Sequence, residues 1–291
     1  MTTPLRVGVV GVGHLGQHHA RLLSGMPEAT LVAVVDTDAA RAQEVGGRYG
    51  VAGTAHWRDL VGRVDAVSIA VPTVAHCEVA LRCIEAAARR GVTLGVGHTE
   101  RFNPAAAAAL PFVSRPRFVE VHRLGTFPER SLDIDVIFDL MIHDLDLLLT
   151  SVGSDVVDLE VVGVNVLTPK ADIANARIRF ASGCIANLTA SRISREKVRK
   201  ARFFQQDAYV SIDFGAREAE MYRLVRGDGR PVIQGGPIPV SPEEPLQREL
   251  ADFVSAVRAS RAPTVSGAAG REALALATRI ADAMQSAAGL P

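Results

Sequence analysis

A glycine-rich turn near the start of the chain has the composition of a phosphate-binding site. An apolar run ends at Gly11-Val12-Gly13-His14-Leu15-Gly16, and the helix-like sequence HHARLL follows it. Gly11 permits a tight turn, Gly13 lets the backbone approach a pyrophosphate, and Gly16 lets helix and strand pack closely. The helix N-terminus at His14 and Leu15 then points free N–H groups at an anion. The alternative is a glycine-rich turn in an unrelated α/β protein.

The next apolar run supplies an acidic residue at the distance that a dinucleotide site requires. Asp36 ends this run and lies 20 residues after Gly16, the spacing at which a carboxylate binds a ribose hydroxyl. The same carboxylate repels a 2′-phosphate, and Thr37 and Asp38 offer no compensating positive charge. Arg41 is expected to project from the next helix. The pattern therefore predicts a dinucleotide site that prefers NAD(H) to NADP(H).

A second group of polar residues lies in the otherwise apolar segment VIFDLMIHDLDLLL, at 136–149. Asp139, His143 and Asp146 fall at i, i+4 and i+7, which places them on one face of a helix. A carboxylate one turn from an imidazole can fix its tautomer and raise its basicity, as a general base needs. We therefore predict catalytic roles for His143 and Asp139. The alternative is a satisfied core network, with Asp144 and Asp146 capping the helix or facing solvent.

The end of a third apolar run contributes weaker candidates for cofactor contacts. Val71, Pro72 and Thr73 follow the strand-like sequence DAVSIA, and open α/β sheets bind ligands at the carboxyl ends of their strands. His76 follows them, and it either reaches the cofactor or caps the next helix. No pair of histidines has convincing metal-ligand spacing, so no metal is predicted.

The segment GHTERFNP lies where two domains are expected to join and form a cleft. We predict that His98 and Arg101 of this segment bind substrate. An arginine can hold a hydroxyl or a phosphate, but it cannot act as a base because it does not lose its proton. For Arg101 the alternative is a salt bridge to Glu100, Asp139 or another acid.

The elements that must position these residues belong to two kinds of sheet. Strands and helices alternate over the first hundred residues, which predicts a parallel sheet with right-handed crossovers. Later strands follow one another without helices, which is typical of an antiparallel or mixed sheet. We predict an α/β protein with a Rossmann dinucleotide-binding domain at 1–103 and a C-terminal α+β domain with an open, mostly antiparallel sheet at 104–291. The predicted strands are 5–11, 30–35, 65–71, 92–97, 117–125, 158–167, 174–181, 184–192, 201–206, 208–213 and 218–224. The predicted helices are 14–25, 38–49, 75–90, 105–109, 136–149, 243–259 and 268–287.

The composition excludes several classes of partner. Lys plus Arg and Asp plus Glu each number 32 among 291 residues, so no net charge favours nucleic acid or an anionic membrane. No segment has the pattern of a signal peptide or a membrane span. The 3 cysteines have neither metal-ligand nor disulfide-framework spacing. We expect a soluble, cytoplasmic enzyme.

These motifs together resemble the Gfo/Idh/MocA family of nicotinamide-dependent oxidoreductases. The similarity lies in GVGHLGQHHAR, VVDTD, DAVSIAVPTVAHCEVALRCIEA, VGHTERFNPA and DLMIHDLDLLL. It implies an NAD cofactor, hydride transfer at a hydroxyl or carbonyl of a sugar or related compound, and homo-oligomers formed through the C-terminal sheet. It also puts Asp139 and His143 at the family's catalytic D-x-x-x-H element. GHTERFNPA is most similar to a branch acting on nucleotide-linked amino sugars, of the UDP-N-acetylglucosamine 3-dehydrogenase type.

The chain departs from this family at one place. Family members continue from the helix after DAVSIAV into a strand ending in Glu-Lys-Pro and a further helix, whereas this sequence contains no Glu-Lys-Pro. The gap has the size of one strand–helix unit, roughly 25 residues. The family lysine that contacts the substrate hydroxyl and the nicotinamide ribose therefore has no counterpart. The leading hypothesis is a dehydrogenase with His143 as the base. The alternatives are a catalytically impaired NAD- or sugar-binding homologue and an interaction module with a vestigial fingerprint.

Overall fold

The chain divides into two structural units. The computed structural model describes residues 3–87, 92–127, 134–227 and 230–288. The first unit comprises Met1–Gly95 and Leu246–Ser266, and the second comprises Val96–Pro245 and Gly267–Pro291.

The first unit is built on a parallel sheet whose strands alternate with helices. Its strands are β1 (Leu5–Val10), β2 (Ala29–Val35), β3 (Ala52–Thr54) and β4 (Ala66–Ile69), and its helices are α1 (Gly16–Ser24), α2 (Ala39–Arg48) and α3 (Thr73–Ala87). The strand order is β3-β2-β1-β4, and each neighbouring pair is parallel. The carboxyl ends of β1, β2 and β4 therefore lie at one edge of the sheet, where ligands bind in folds of this type.

The strand expected at 92–97 does not form, so this prediction is wrong. In this segment Gly95 makes only an isolated antiparallel bridge with Ser266. Gly95 and Gly97 weaken a strand because they lose more backbone entropy than other residues and have no side chain to pack. Consequently β4 is the outer strand of the sheet that the structure describes. Residues 88–90 of the predicted helix 75–90 lie outside the described residues.

The second unit contains an open sheet of eight strands. Its strands are β5 (Phe118–Leu124), β6 (Val156–Val164), β7 (Ile173–Phe180), β8 (Ile185–Ser191), β9 (Val198–Phe204), β10 (Ala208–Asp213), β11 (Glu218–Val225) and β12 (Val232–Ile238). Its order is β12-β11-β10-β9-β5-β8-β7-β6. The β5–β8 pair is parallel, and the other neighbouring pairs are antiparallel. The predicted fold class, a Rossmann domain followed by an open, mostly antiparallel sheet, is confirmed.

One face of this sheet packs against helices. The remaining helices are α4 (Pro104–Ala109), α5 (Ile142–Val152), α6 (Pro245–Ala259) and α7 (Gly267–Ala288). Val119 and Val121 of β5 share a hydrophobic core with Leu145 of α5 and Ile280 of α7. Since alternate residues of a strand point to the same face, Arg123 also lies on this buried side, and it is 5% exposed.

The helix expected at 136–149 begins with a π-helical turn and continues as an α-helix. Residues Ile137–Met141 are π-helical, with the Ile142 N–H donating to the Ile137 carbonyl, and α5 follows. A π turn holds more residues than an α turn, so Asp139 and His143 are not separated by one regular α-helical turn. α5 ends at Gly153, whose φ of +60° suits a left-handed helix cap.

Helix α6 belongs to the first unit, not to the second. Its Leu250 and Val254 lie in one core with Val7 and Val9 of β1. The observed units therefore differ from the expected bounds, 1–103 and 104–291, at residues 96–103 and 246–266. Sequence periodicity identified this helix correctly, but it did not indicate which sheet the helix would pack against.

Candidate functional site

The turn after β1 has the shape of a phosphate cradle. Gly11 has a φ of +83°, and a Cβ there would lie 2.7 Å from the Ala70 carbonyl oxygen. A Cβ at Gly16 would lie 1.8 Å from the Gly11 carbonyl oxygen, whereas one at Gly13 would meet nothing within 4 Å. Glycine is therefore required at two positions by close packing, and the third leaves open space beside the N-terminus of α1. This arrangement fits a pyrophosphate.

The carboxylate of Asp36 is fixed beside this turn. It accepts the Val12 N–H at 2.9 Å and the Asp38 N–H at 3.0 Å, and the residue is only 8% exposed. Two backbone donors hold the carboxylate in one orientation. The glycine turn and Asp36 together fit the pyrophosphate and ribose of an adenine dinucleotide.

Arg41 comes closer to this carboxylate than the sequence indicated. Its Nη1 lies 3.4 Å from Asp36 Oδ1, and its Nη2 lies 3.2 Å from Asp38 Oδ2. The expectation that no positive charge accompanies Asp36 is corrected by this contact. The helix N-cap explains it, because Asp38 accepts the Arg41 N–H and so fixes the start of α2 next to Asp36.

The other predicted cofactor residues lie at the ends of β1 and β4. His14 and Leu15 are exposed and directly precede α1. Thr73 begins α3 immediately after Val71 and Pro72. His76 has its Nδ1 3.1 Å from the Pro72 carbonyl oxygen, a local contact of the kind that the capping alternative describes. Cofactor contacts of these residues stay predictions.

Two histidines meet in the second unit. The Nδ1 atoms of His98 and His143 are 3.4 Å apart, and the rings are perpendicular with centroids 5.4 Å apart. His98 is 4% exposed, and its Nε2 is buried without a hydrogen-bond partner. His143 stands in the first turn of α5 and is partly exposed. The pair therefore consists of a partly exposed imidazole, that of His143, in contact with a buried one, that of His98.

Both imidazoles are neutral at pH 7. Burial, reinforced by the positive charges of Arg123 and Arg199, lowers the pKa of His143 to about 3. Burial also lowers the pKa of His98, where the Asp146 carboxylate opposes the shift and Arg101 adds to it. A neutral imidazole can accept a proton, but these surroundings lower the basicity of His143, where the sequence predicted that a carboxylate would raise it.

Buried ion pairs hold the histidine pair in place. Arg123 binds Asp144 through two contacts of 2.7 Å and Glu100 through one of 2.9 Å. Arg101 binds Asp146 through contacts of 2.8 and 3.1 Å. These pairs tie the turn at residues 99–102 to α5. Removing one partner would leave a buried charge uncompensated.

The ion pairs change three sequence-based assignments. Asp144 and Asp146 are 3% and 2% exposed, so the prediction that they cap the helix or face solvent is wrong. For Arg101 the salt-bridge alternative is observed, with Asp146 as the acid, and its substrate contact stays a prediction. The neighbour of the His143 Nδ1 is His98, a contact that the sequence did not indicate. The orienting role of Asp139 also stays a prediction.

Two further residues of the site escaped the sequence analysis. Arg123 shares the buried parity of Val119 and Val121 in FVEVHRL, and this alternation was a usable signal for a buried cation. Arg199 lies opposite Arg123 in the β5–β9 register. Its distance in the sequence from His143 left no signal.

Comparison with known proteins identifies the class. The family described as "Oxidoreductase family, NAD-binding Rossmann fold" matches residues 5–93, and the "GFO/IDH/MocA C-terminal domain" matches residues 115–210. The chain is 37% identical to the UDP-N-acetylglucosamine 3-dehydrogenase of Acidithiobacillus ferrooxidans, over 97% of each chain. This protein therefore belongs to the Gfo/Idh/MocA family of NAD-binding oxidoreductases, and the predicted class of enzyme is confirmed.

Structural neighbours agree with this family membership. A crystal form of the Acidithiobacillus ferrooxidans enzyme superimposes with a TM-score of 0.89, covering 98% of this chain and 99% of that chain. An inositol 2-dehydrogenase of Rhizobium meliloti is 27% identical over 94% of both chains. A levoglucosan dehydrogenase in complex with NADH has the same fold at 18% identity, with a TM-score of 0.84 and 98% of each chain covered.

The alignment with the Acidithiobacillus ferrooxidans enzyme also shows that this chain is shortened. It spans 311 positions, more than the 291 residues of this chain, so that relative has positions without a counterpart here. This agrees with the four-stranded sheet, in which no described strand extends beyond β4.

The described residues contain no group of three or more His, Cys, Asp and Glu side chains arranged to hold a metal ion. None of their helices is long and apolar enough to cross a membrane.

Proposed function

We propose that this protein is an NAD-dependent dehydrogenase acting on a hydroxyl-bearing carbon of a sugar nucleotide. The observation that carries the proposal is the partly exposed imidazole of His143, whose Nδ1 lies 3.4 Å from the Nδ1 of the buried His98. The His143 ring accepts the hydroxyl proton, with Asp139 as a second catalytic residue. NAD, when bound, accepts the hydride from the carbinol carbon.

The cofactor in this proposal is NAD(H) rather than NADP(H). Asp36 supports it, because a buried carboxylate held by two N–H donors accepts ribose hydroxyls and repels a 2′-phosphate. Arg41 offsets part of that repulsion through its contact with Asp36. The preference is therefore expected near the lower end of about 1–3 kcal/mol, the range for a hydrogen bond to a charged group.

The proposed substrate class rests on the 37% sequence identity to a UDP-N-acetylglucosamine 3-dehydrogenase and on the position of Arg199. Arg199 is exposed and forms no ion pair with the described residues, yet its charge acts on His143. It has the parity of Ala201 and Phe203, which are buried in the core, so it lies at the edge of the helix-covered face. A guanidinium in this position favours a substrate that carries phosphate.

A catalytically impaired NAD- or sugar-binding protein is the second candidate. The chain has only three lysines, Lys170, Lys197 and Lys200, and all belong to the second unit. The lysine of the family's Glu-Lys-Pro element therefore has no replacement of its own kind in the first unit. Arg101 is a candidate donor to substrate, but it cannot exchange a proton as a lysine does.

The test compares binding with turnover. Purified protein is titrated with NAD⁺ and NADP⁺ by calorimetry, and NADH absorbance is then followed with UDP-N-acetylglucosamine and with myo-inositol. The proposal expects NAD⁺ binding and NADH formation with the sugar nucleotide. NAD⁺ binding without turnover of either substrate would favour the impaired homologue, and no nucleotide binding would contradict both.

We further propose a homo-oligomer formed through the outer face of the eight-stranded sheet. An aromatic row crosses this face, with ring centroids 5.6 Å apart for Phe118–Phe204, 5.2 Å for Phe204–Tyr209 and 6.4 Å for Tyr209–Tyr222. Exposed apolar patches of this kind are typical of interfaces. Light scattering should give a particle mass that is a multiple of the 30.9 kDa chain mass. Tyr222→Lys should lower this particle mass. A monomer at micromolar concentration would contradict the proposal.

A further inference from the structure

The contact between His98 and His143 restricts where their protons can be. The two Nδ1 atoms are 3.4 Å apart and form a hydrogen bond, which requires one N–H and one lone pair. Because both rings are neutral at pH 7, each carries a single proton, on Nδ1 or on Nε2. Only two arrangements are possible. Either His143 donates and keeps a free lone pair on its own Nε2, or His98 donates and the His143 Nε2 carries a proton.

The charges around the pair favour His143 as the donor. A hydrogen-bond donor gains negative character and its acceptor gains positive character. Arg123 and Arg199 act on His143, whereas the Asp146 carboxylate acts on His98, with Arg101 opposing it. Cations beside the donor and a carboxylate beside the acceptor stabilise this polarity. Arg123 also forms short ion pairs with the carboxylates of Asp144 and Glu100.

The contact leaves one atom unsatisfied in either arrangement. The Nε2 of His98 is buried and has no partner, which is rare in folded proteins and calls for a functional explanation. An apolar residue at position 98 would avoid this cost but would leave the His143 Nδ1 without an acceptor. His98 thus supplies an acceptor at its Nδ1, while its Nε2–H stays unpaired.

We propose that His98 is a positioning residue, which holds His143 in the Nδ1–H tautomer and so leaves the His143 Nε2 lone pair for the substrate hydroxyl. The inference rests on the proposed function. In the oxidation direction the substrate O–H bond breaks and its proton binds the His143 Nε2, while the hydride leaves the same carbinol for NAD⁺. The imidazolium that results keeps its Nδ1–H directed at His98, where the hydrogen bond becomes charge-assisted.

The tautomer can be measured without cofactor or substrate. Protein labelled with ¹⁵N-histidine is examined at pH 7 by long-range ¹H–¹⁵N correlation, and the two rings are assigned from the His143→Gln spectrum. The proposal expects a protonated Nδ1 and an unprotonated Nε2 on His143, with the reverse on His98. A protonated Nε2 on His143 would overturn it, whatever the enzyme's activity.

A pair of variants separates positioning from bulk packing. His98→Asn keeps a polar acceptor where Nδ1 stood, and His98→Leu removes it while filling the space. We expect His98→Leu to lower kcat on the order of 10–100-fold, as for other residues that orient an imidazole, with little change in KM. His98→Asn should recover most of that loss. Equal losses in two folded variants would contradict the proposal.

A control variant and the unmodified protein separate the role of His98 from the proposed dehydrogenase function. His56→Leu changes an exposed histidine without a side-chain capping bond, and kcat should stay within about twofold, as for other exposed substitutions. If the unmodified protein turns over no sugar nucleotide, the proposed function fails and the NMR experiment still decides the tautomer. If turnover is normal and the NMR shows the opposite tautomer, only the role of His98 fails.

Discussion

The cradle in the first unit and the histidine pair in the second are built from different materials. The cradle consists of backbone, because Gly11 and Gly16 are required by contacts with carbonyl oxygens and Asp36 is held by N–H groups. The histidine pair consists of side chains, and those side chains are held by ion pairs between Arg123, Asp144 and Glu100. A backbone site tolerates changes of side chain away from its glycines, whereas a side-chain site depends on each partner.

Because the two regions are built differently, substitutions in them should impair different functions. A Cβ in the cradle alters shape and should affect cofactor binding first. A lost charge beside the histidines alters protonation and should affect turnover first. Substitutions in the two regions are therefore expected to change cofactor binding and turnover independently.

Removal of the imidazole of His143 should have the largest effect. His143→Ala is expected to lower kcat by a factor on the order of 10²–10⁴, as for loss of a general base, and to leave the Kd for NAD⁺ nearly unchanged. Steady-state kinetics and calorimetry on the same preparation check both halves. Asp139→Asn serves as the comparison and should lose less. Turnover that is indifferent to His143 would mean that the proton acceptor is another group.

Alanine substitutions in the glycine turn should affect stability and NAD⁺ binding rather than kcat. Gly16→Ala places a Cβ 1.8 Å from the Gly11 carbonyl oxygen, and such overpacking costs about 1–3 kcal/mol of stability. Gly13→Ala meets nothing within 4 Å, so it should keep the melting temperature. It should nevertheless weaken NAD⁺ binding, because it occupies the side from which a pyrophosphate approaches. Melting curves and calorimetry measure the two effects, and unchanged NAD⁺ affinity in Gly13→Ala would contradict the cradle.

Substitution of Arg41 should change cofactor preference by a smaller amount. Arg41→Leu removes the guanidinium that lies 3.4 Å from Asp36, so NADP⁺ affinity should fall by roughly tenfold, about the value of one charged hydrogen bond. NAD⁺ affinity should change little. Arg48→Leu, which removes an exposed helix ion pair with Glu44, is the matched control. Equal losses for both nucleotides would show that Arg41 does not discriminate between them.

The local features of the fold could be predicted from the sequence. The glycine turn and Asp36 lie within one short stretch, so their spacing carried the geometry. Strand β12 was missed because Gly235, Gly236 and Pro237 are unfavourable in strands. The edge position beside β11 explains how it forms, since edge strands tolerate such residues.

The side-chain site could be predicted only in part. His143 was found because it lies in an apolar helix, but its contact with His98 joins residues 45 positions apart. The π turn before α5 also removed the regular spacing on which the role of Asp139 was based. Helical periodicity shows which residues share a face, and it does not show what the tertiary fold brings against that face.

The last expected effect is on stability, as a pH dependence that both units share. The pKa of His143 is lowered to about 3 by burial, and that of His19, which contacts Ser68 Oγ, is lowered to about 4 by burial. Below pH 6.5 the unfolded chain therefore binds protons that the folded protein does not. Stability is full above this pH and falls as the pH drops toward 4, by at most about 1.4 kcal/mol per pH unit for each histidine.

Urea unfolding at pH 7 and pH 5 measures this dependence. His19→Asn and His143→Asn should each flatten it by up to one proton, in the first and second unit respectively. If only His19→Asn flattens it, the imidazole of His143 titrates normally in the folded protein. The cations Arg123 and Arg199 would then exert little control over the candidate base, and the side-chain site would be less constrained than the backbone cradle.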